Sequence, residues 1–219
     1  MGKTNRLLSK ISNKTAISFN STKYAKKDAI FTGVPIRVFK KKKIKKDKKR
    51  VLVLGGSQGA KIFSQIIPKV LIGIKQEYLK NLMIVQQTRK EDKTILESTY
   101  NKLNVKCTVK EFFDDVQNEI YNSDIVIARC GASTLAEIEY CKKFSLLFPL
   151  PTAMDDHQLE NAKQFKKKND CQIYNQNNIP YSKLRELLKS QLFYKNEIKT
   201  NLQESKKISL IKFIDDIIQ

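Results

Sequence analysis

The chain has 219 residues, and its 42 basic against 22 acidic side chains give a formal net charge of +20. Its hydrophobic content of 41% is ordinary for a folded protein, and no apolar run reaches the roughly 18 residues of a membrane-spanning helix. The segment before Ser12 is polar and basic and lacks the apolar stretch of a secretory signal, which predicts a cytoplasmic protein.

The excess of positive charge does not by itself predict nucleic-acid binding. The cations are overwhelmingly lysines, and aromatic residues are not interleaved with the basic runs as a stacking platform requires. We therefore expect no nucleic-acid partner. The charge fits attraction to an anionic membrane surface better, at ~1 kcal/mol for each basic residue near that surface.

The cysteines and the single histidine give no sign of a metal site. Four cysteines lack the spacing of metal ligands, and one histidine cannot complete a zinc site with them. We expect no bound metal and no cofactor.

The first part of the chain does not resemble the beginning of a domain. Two short candidate strands, 15–19 and 29–37, have no predicted helix between them and cannot bury a core. We expect residues 1–39 to be the remnant of the end of another domain. Residues 40–50 form a dense basic run, which predicts a solvated linker because its like charges repel one another.

From Val51 onward, apolar strand patterns alternate regularly with helical patterns. Strands are predicted at 51–54, 82–85, 105–109, 124–128, 145–148 and 171–174, and helices at 60–74, 92–103, 116–121, 133–141, 157–168 and 181–192. This alternation predicts an α/β fold, a Rossmann-like, doubly wound and mostly parallel sheet spanning 51–195. A C-terminal amphipathic helix is predicted within 196–219.

Two glycine turns follow predicted strands of this sheet, at Gly55–Gly59 and at Gly131. Ligands of doubly wound sheets bind at the carboxyl ends of the strands, where both turns lie. A helix that starts after Gly131 presents free backbone N–H groups and the positive end of its dipole, which suits a phosphate. Glu137, one turn further, is placed to accept hydrogen bonds from the hydroxyls of a ribose. This combination predicts a nucleotide-sugar site.

Each of these features also has a purely structural interpretation. The first turn matches neither Gly-x-Gly-x-x-Gly nor a P-loop, and it could be a tight turn between strand and helix. Thr134 could cap its helix with Glu137 as capping-box partner. His157 could be a helix cap, while Gln158 carries donors and acceptors suited to sugar hydroxyls.

Taken together, the motifs resemble those of the MurG family, the bacterial N-acetylglucosaminyltransferases that complete lipid II. The matching segments run in order and are 31–37, 55–60, 111–115, 129–137, 149–151 and 156–162. The resemblance implies one half of a GT-B glycosyltransferase, which transfers GlcNAc from UDP-GlcNAc to lipid I with inversion and without a metal. It also implies a peripheral location on the cytoplasmic face of the inner membrane.

The resemblance also implies roles for individual residues. Glu137 would hold the ribose, the backbone of Phe113 would pair with the uracil, and Gln158 would contact the GlcNAc hydroxyls. Arg37 would reach in from the interdomain segment. The diphosphate and the nearby sugar would be held by the first turn and the second helix start, that is by Ser57, Ala132, Ser133, Thr134, Leu135 and Ala136.

The family's acceptor-binding half has no counterpart in this sequence, and neither has its suspected catalytic base. We therefore expect weak UDP-GlcNAc binding without transfer, unless a longer precursor or a separate polypeptide supplies the first domain. Two alternatives remain, the donor subunit of a split dolichol-type GlcNAc transferase and a non-catalytic module that binds nucleotides or nucleic acid.

Overall fold

A computed structural model describes residues 3–18, 22, 24–37, 39–56, 61–151 and 157–194. They form two compact units, one that ends at Arg37 and one that covers the described residues after it. The predicted C-terminal helix and Ser57 lie outside the described residues. No helix in the described part is both long enough and apolar enough to cross a membrane.

The first unit contains a helix that the sequence did not predict. Helix α1 covers Lys3–Ile11, and the short strands β1 (Ala16–Ile17) and β2 (Ile30–Phe31) pair in parallel. The ammonium group of Lys26 donates a hydrogen bond to the carbonyl of Ser12 at 2.8 Å. This bond connects the residue after α1 to the loop between β1 and β2. A nine-residue helix is too short for its periodicity to stand out within so basic a segment.

The second unit is a six-stranded parallel sheet with helices on both faces. The strands are β3 (Lys49–Leu54), β4 (Leu82–Gln87), β5 (Lys106–Lys110), β6 (Ile125–Ala128), β7 (Ser145–Leu147) and β8 (Cys171–Ile173). The helices are α2 (Lys61–Leu71), α3 (Gln76–Leu79), α4 (Lys90–Lys102), α5 (Val116–Tyr121), α6 (Ala132–Tyr140), α7 (His157–Lys166) and α8 (Tyr181–Lys189), and a π-helical turn follows at Ser190–Tyr194. The predicted doubly wound α/β sheet is thereby confirmed.

The strand order is β5-β4-β3-β6-β7-β8, with β3 and β6 parallel. The direction in which the chain adds strands to the sheet reverses between β3 and β6. The chain first winds outward from β3 through β4 to β5, then crosses back to β6 on the other side of β3. Such a topological switch point opens a crevice at the carboxyl ends of the two central strands. Leu54 of β3 pairs with Ala128 of β6 at this edge.

The sheet separates two apolar layers, because successive side chains of a strand point to opposite faces. Val51 and Val53 of β3 pack in one layer with residues of α2, α4 and α8. Leu52 and Leu54 pack in the other with residues of α5, α6 and α7. Burial on both faces explains why the central strands read as continuous apolar runs.

The basic run, which the sequence predicts to be a solvated linker, makes specific backbone contacts with α5. Its lysine side chains 40–43 are exposed, but its backbone is held against α5 by two asparagine side chains. The amide of Asn118 bonds to the carbonyl of Lys40 (3.1 Å) and the N–H of Lys42 (2.9 Å). The amide of Asn122 bonds likewise to the carbonyl of Lys42 (2.8 Å) and the N–H of Ile44 (3.1 Å). We call residues 40–46 the lysine strap.

The central strand β6 provides a test of this packing. Ile127 is 1% exposed, so Ile127→Ala should lower the free energy of unfolding by about 2–5 kcal/mol through lost burial and a cavity. The matched change Ile95→Ala removes a side chain that is 70% exposed and should cost less than about 0.5 kcal/mol. Urea unfolding of both variants measures the difference, and equal losses would contradict the assigned core.

Candidate functional site

Four loops meet at the carboxyl edge of the sheet, beside the switch point. Gly55 and Gly56 follow β3, and Gly131 follows β6. The loop around Phe113 follows the edge strand β5, and the loop around Pro149 follows β7, which neighbours β6. The N–H of Arg129 donates to the carbonyl of Leu54 at 3.3 Å, so the β3–β6 pairing continues to the base of the Gly131 turn.

The turn at Gly131 opens helix α6 with backbone donors that have no acceptor among the described residues. Gly131 is the N-cap residue and supplies no capping side chain, and the first helical hydrogen bond runs from Leu135 N–H to Gly131 C=O at 3.0 Å. The N–H groups of Ala132, Ser133 and Thr134 precede that bond and have no carbonyl of α6 to reach. They lie at the positive end of the helix dipole.

The glycines of the two turns have different backbone conformations. Gly56 has a φ of +79°, which a residue with a Cβ adopts only under strain. Gly131 has an ordinary φ of −64°, and among the described residues other than its chain neighbours, the atom nearest to a Cβ there would be the Thr134 hydroxyl oxygen at 3.9 Å. The described residues therefore leave open space beside the Gly131 turn.

The structure excludes the capping-box interpretation of Thr134 and Glu137. In a capping box the first residue is the N-cap and the acid stands three positions later. Here Gly131 is the N-cap, so Thr134 is the third helical residue and Glu137 lies nearly a turn beyond it. Glu137 is therefore not engaged in closing the helix end.

Glu137 is instead held by the neighbouring helix α5. The side-chain nitrogen Nε2 of Gln117 donates to Glu137 Oε1 at 2.7 Å. Burial raises the pKa of Glu137, and the hydrogen bond from Gln117 partly opposes that rise. One carboxylate oxygen is thus fixed in position, and a carboxylate has further lone pairs for another donor.

Helix α7 clamps the residue that precedes Gly131. Gln158 Oε1 accepts hydrogen bonds from the N–H of Cys130 and the N–H of Leu150, each at 3.1 Å. Asn161 Nδ2 donates to the carbonyl of Cys130 at 3.1 Å. Both backbone groups of Cys130 are therefore held by side chains of α7, which ties the Gly131 turn to the loop after β7.

The arginine of the same turn faces inward. Arg129 is 9% exposed, and its Nη1 donates to the carbonyls of Phe148 and Pro149 at 3.1 and 3.3 Å. Its guanidinium lies 5.4 Å from the ring centre of Phe63. Burial lowers the pKa of Arg129. This side chain is a structural tie between the β6 and β7 loops.

The remaining site residues of the sequence analysis fall into three groups. The side chains of Phe113 and Leu135 are buried in the core, so these positions offer backbone groups to a ligand. Ala132, Thr134 and Ala136 are half-buried and Ser133 is exposed at the start of α6. Arg37 is exposed and ends the first unit, and its role stays a prediction, as does that of Ser57, which lies outside the described residues.

Among the described residues, His, Cys, Asp and Glu side chains form no group of three or more that could hold a metal ion.

Comparison with known proteins places this arrangement in a family. Residues 50–219 match the glycosyltransferase family 28 C-terminal domain. The chain belongs to this glycosyltransferase family. The match begins at the second residue of β3 and covers the rest of the sheet, and therefore both glycine turns.

Two relatives of this chain carry the same name. The UDP-N-acetylglucosamine–N-acetylmuramyl-(pentapeptide) pyrophosphoryl-undecaprenol N-acetylglucosamine transferase of Rickettsia bellii is 36% identical over 85% of this chain and 56% of its own length. The protein of the same name from the Wolbachia of Brugia malayi is 30% identical over 100% of this chain and 64% of its own length. The crystal structure of Acinetobacter baumannii MurG superposes with a TM-score of 0.70 at 25% identity, covering 87% of this chain and 55% of that one. The present chain therefore spans between half and two thirds of the length of these proteins.

Sequence reasoning missed three residues that organise the site. Gln117 positions Glu137, Asn161 shares the clamp on Cys130, and Arg129 ties the β6 and β7 loops. The spacing of Gln158 and Asn161 places them on one face of a helix and was available in the sequence. The partner of Gln117 was not, because it lies on another helix.

The clamp leads to a prediction about Gln158. Gln158→Leu removes the acceptor for two backbone N–H groups and should lower the free energy of unfolding by about 1–3 kcal/mol. Gln158→Glu keeps an acceptor at the same place and should lose less. Hydrogen exchange should accelerate at the amides of Cys130 and Leu150 in the leucine variant. Unchanged exchange at both amides would show that the clamp does not hold the turn.

Proposed function

We propose that this chain supplies the donor-binding half of an inverting N-acetylglucosaminyltransferase, which transfers GlcNAc from UDP-GlcNAc to lipid I and forms lipid II for peptidoglycan. One observation carries the proposal. At the switch point between β3 and β6, an uncapped helix start lies one turn from a carboxylate that Gln117 holds in place. The membership in family 28 and the shared name of the relatives support the same function.

In this proposal, the start of α6 binds the diphosphate. The N–H groups of Ala132, Ser133 and Thr134 donate to the phosphate oxygens, and the space that the described residues leave beside Gly131 lets the phosphates approach the backbone. Leu135, anchored in the core, and Ala136 hold this turn in place, and Ser57 donates from the first glycine turn.

The two ends of the donor are bound on either side of the diphosphate. Glu137 accepts hydrogen bonds from the ribose hydroxyls through the oxygen that Gln117 does not occupy. The backbone of Phe113 pairs with the uracil. Gln158 faces the GlcNAc with Nε2, since its Oε1 is already engaged by two backbone N–H groups. The role of Arg37, which lies in the first unit, stays a prediction.

The chemistry that these residues assist is the departure of UDP. An acceptor hydroxyl attacks the anomeric carbon of GlcNAc, the bond to the diphosphate oxygen breaks, and the hydroxyl proton passes to a base. Fixed N–H donors at the start of α6 stabilise the negative charge that develops on the leaving diphosphate. The base and the acceptor site belong to the other half of the enzyme, so we expect this chain to bind the donor weakly and not to transfer it unaided.

The acceptor also determines where the protein works. The name of the relatives specifies a pyrophosphoryl-undecaprenol acceptor, which is a lipid. We propose that a protein that acts on such an acceptor works peripherally at the cytoplasmic face of the inner membrane.

Ligand-dependent melting tests the proposed donor. UDP-GlcNAc should raise the melting temperature, because a ligand of the folded state stabilises it by about 2.7 kcal/mol at one hundred times its Kd. ADP and an RNA oligonucleotide should have no comparable effect. Stabilisation by ADP or RNA equal to that by UDP-GlcNAc would favour a general nucleotide- or nucleic-acid-binding module. Failure of UDP-GlcNAc to stabilise the chain would contradict the proposed site.

Glu137 provides a sharper test with a defined pH dependence. Its raised pKa means that the folded chain holds the proton more tightly than the unfolded chain, so the ionised carboxylate opposes folding at neutral pH. This opposition is relieved as the pH falls through the folded pKa. Glu137→Gln should therefore keep or raise the melting temperature at neutral pH while removing stabilisation by UDP-GlcNAc.

The control is Glu91→Gln, the same chemical change at an exposed position of α4, which should alter neither property. In the unsubstituted chain, stabilisation by UDP-GlcNAc should weaken on acidification at a higher pH than an ordinary glutamate would require, since the protonated acid accepts fewer hydrogen bonds. Retention of full donor binding by Glu137→Gln would disprove the ribose role.

A further inference from the structure

The lysine strap is a row of cations that the fold holds in a fixed position. Lys40, Lys41, Lys42, Lys43 and Lys45 are exposed, and none of them has a carboxylate partner within 4 Å in the part of the chain that the structure describes. Beyond them, Lys46 pairs with Asp124 at 2.8 Å, and the other oxygen of Asp124 accepts from the N–H of Arg50 at 2.7 Å.

The attachment of the strap is specific rather than incidental. The side-chain amides of Asn118 and Asn122 each bridge a carbonyl and the N–H two residues later, which is how a neighbouring strand would pair with it. Both asparagines are buried, at 9% and 5% exposure. Two buried polar side chains are thus committed to holding a segment whose charges repel one another.

One end of the strap is also fixed by aromatic rings. The ammonium of Lys41 lies 5.1 Å from the ring centre of Tyr140 and 5.6 Å from that of Tyr121. Phe39 contacts Tyr140 edge to face, with ring centres 5.8 Å apart. Tyr140 is 48% exposed and Ile44, within the strap, is 41% exposed, so apolar and aromatic groups flank the cations at the surface.

We infer that the lysine strap is the surface by which this chain docks on an anionic phospholipid membrane. Lysines near a negatively charged bilayer contribute additively, and a segment that is already ordered loses little conformational freedom on binding. Exposed tyrosine and isoleucine side chains suit the boundary between headgroups and acyl chains. The run contains no aromatic residue between its lysines on which nucleic-acid bases would stack.

The strap also lies on the helix that positions the candidate donor site. Asn118, which holds the strap, follows Gln117, which holds Glu137, on α5. Docking through the strap therefore brings α5 and the donor site close to a lipid-linked acceptor. In this respect the inference rests on the proposed function.

The test compares two triple variants of the full chain with equal loss of charge. One is Lys42→Gln with Lys43→Gln and Lys45→Gln, in the strap. The other is Lys166→Gln with Lys167→Gln and Lys168→Gln, an exposed run at the end of α7. Binding is measured by flotation with vesicles of phosphatidylcholine alone or mixed with phosphatidylglycerol.

The unsubstituted chain should float with the mixed vesicles and not with phosphatidylcholine alone. The strap variant should bind the mixed vesicles about 100-fold more weakly, and the α7 variant should retain most of its binding. Equal losses in the two variants would overturn the inference, because the attraction would then follow total charge. Tighter binding of the unsubstituted chain to RNA than to the mixed vesicles, abolished by the strap variant, would also overturn it.

A charge-neutral variant tests the fixed geometry. Asn122→Leu releases the carbonyl of Lys42 and the N–H of Ile44 without changing the charge, and should weaken vesicle binding about 3-fold or more. Its melting curve reports whether it is folded, and the lysine comparison does not depend on it. Stabilisation by UDP-GlcNAc should persist in the strap variant. If UDP-GlcNAc stabilises none of the proteins while the strap variant alone loses vesicle binding, the proposed donor site fails and the docking surface stands.

Discussion

Parallel pairing between β3 and β6 brings Leu54 beside Ala128 and so aligns the two glycine turns at one edge of the sheet. The pairing extends one residue past β6 through the hydrogen bond from Arg129 N–H to Leu54 C=O. Without this alignment, the uncapped start of α6 would be an isolated helix end and would not indicate a ligand site. With it, the helix start lies at a topological switch point, where doubly wound sheets have room for a ligand. The candidate donor site is therefore a consequence of strand order as much as of the residues in its loops.

Side-chain amides perform much of the positioning around this edge. Gln158 and Asn161 hold both backbone groups of Cys130, and Gln117 fixes one oxygen of Glu137. An amide both donates and accepts, so it can satisfy buried backbone groups without bringing in a second charge. In a chain with a net charge of +20, neutral groups of this kind avoid adding to an already strong electrostatic repulsion. Asn118 and Asn122 do the same for the lysine strap.

The short helix α5 links features that are distant in the sequence. Asp115 caps it by accepting from the N–H of Asn118 at 3.2 Å, directly after the Phe113 loop. One side of α5 then contacts the strap, and Gln117 contacts Glu137 on α6. The proposed uracil contact, the proposed ribose contact and the proposed membrane surface are thus supported by one helix of six residues. A change in the position of α5 would affect all three.

The sequence alone determined the fold class and predicted the location of the candidate site. Alternating apolar runs and helical patterns are local properties, and the rule that ligands bind at the carboxyl ends of strands turns them into a prediction about an edge. Several strand boundaries shifted by one or two residues, since element ends depend on contacts as well as propensity. The tertiary structure decided what no local pattern encodes. It showed that Glu137 is held by Gln117 rather than closing a capping box, that Gln158 clamps a turn 28 residues away, and that the basic run is bound to α5 over a separation of 76 residues. Those partners come together only when the sheet brings distant segments into contact. The sequence of a basic run does not indicate which distant asparagines will bind its backbone.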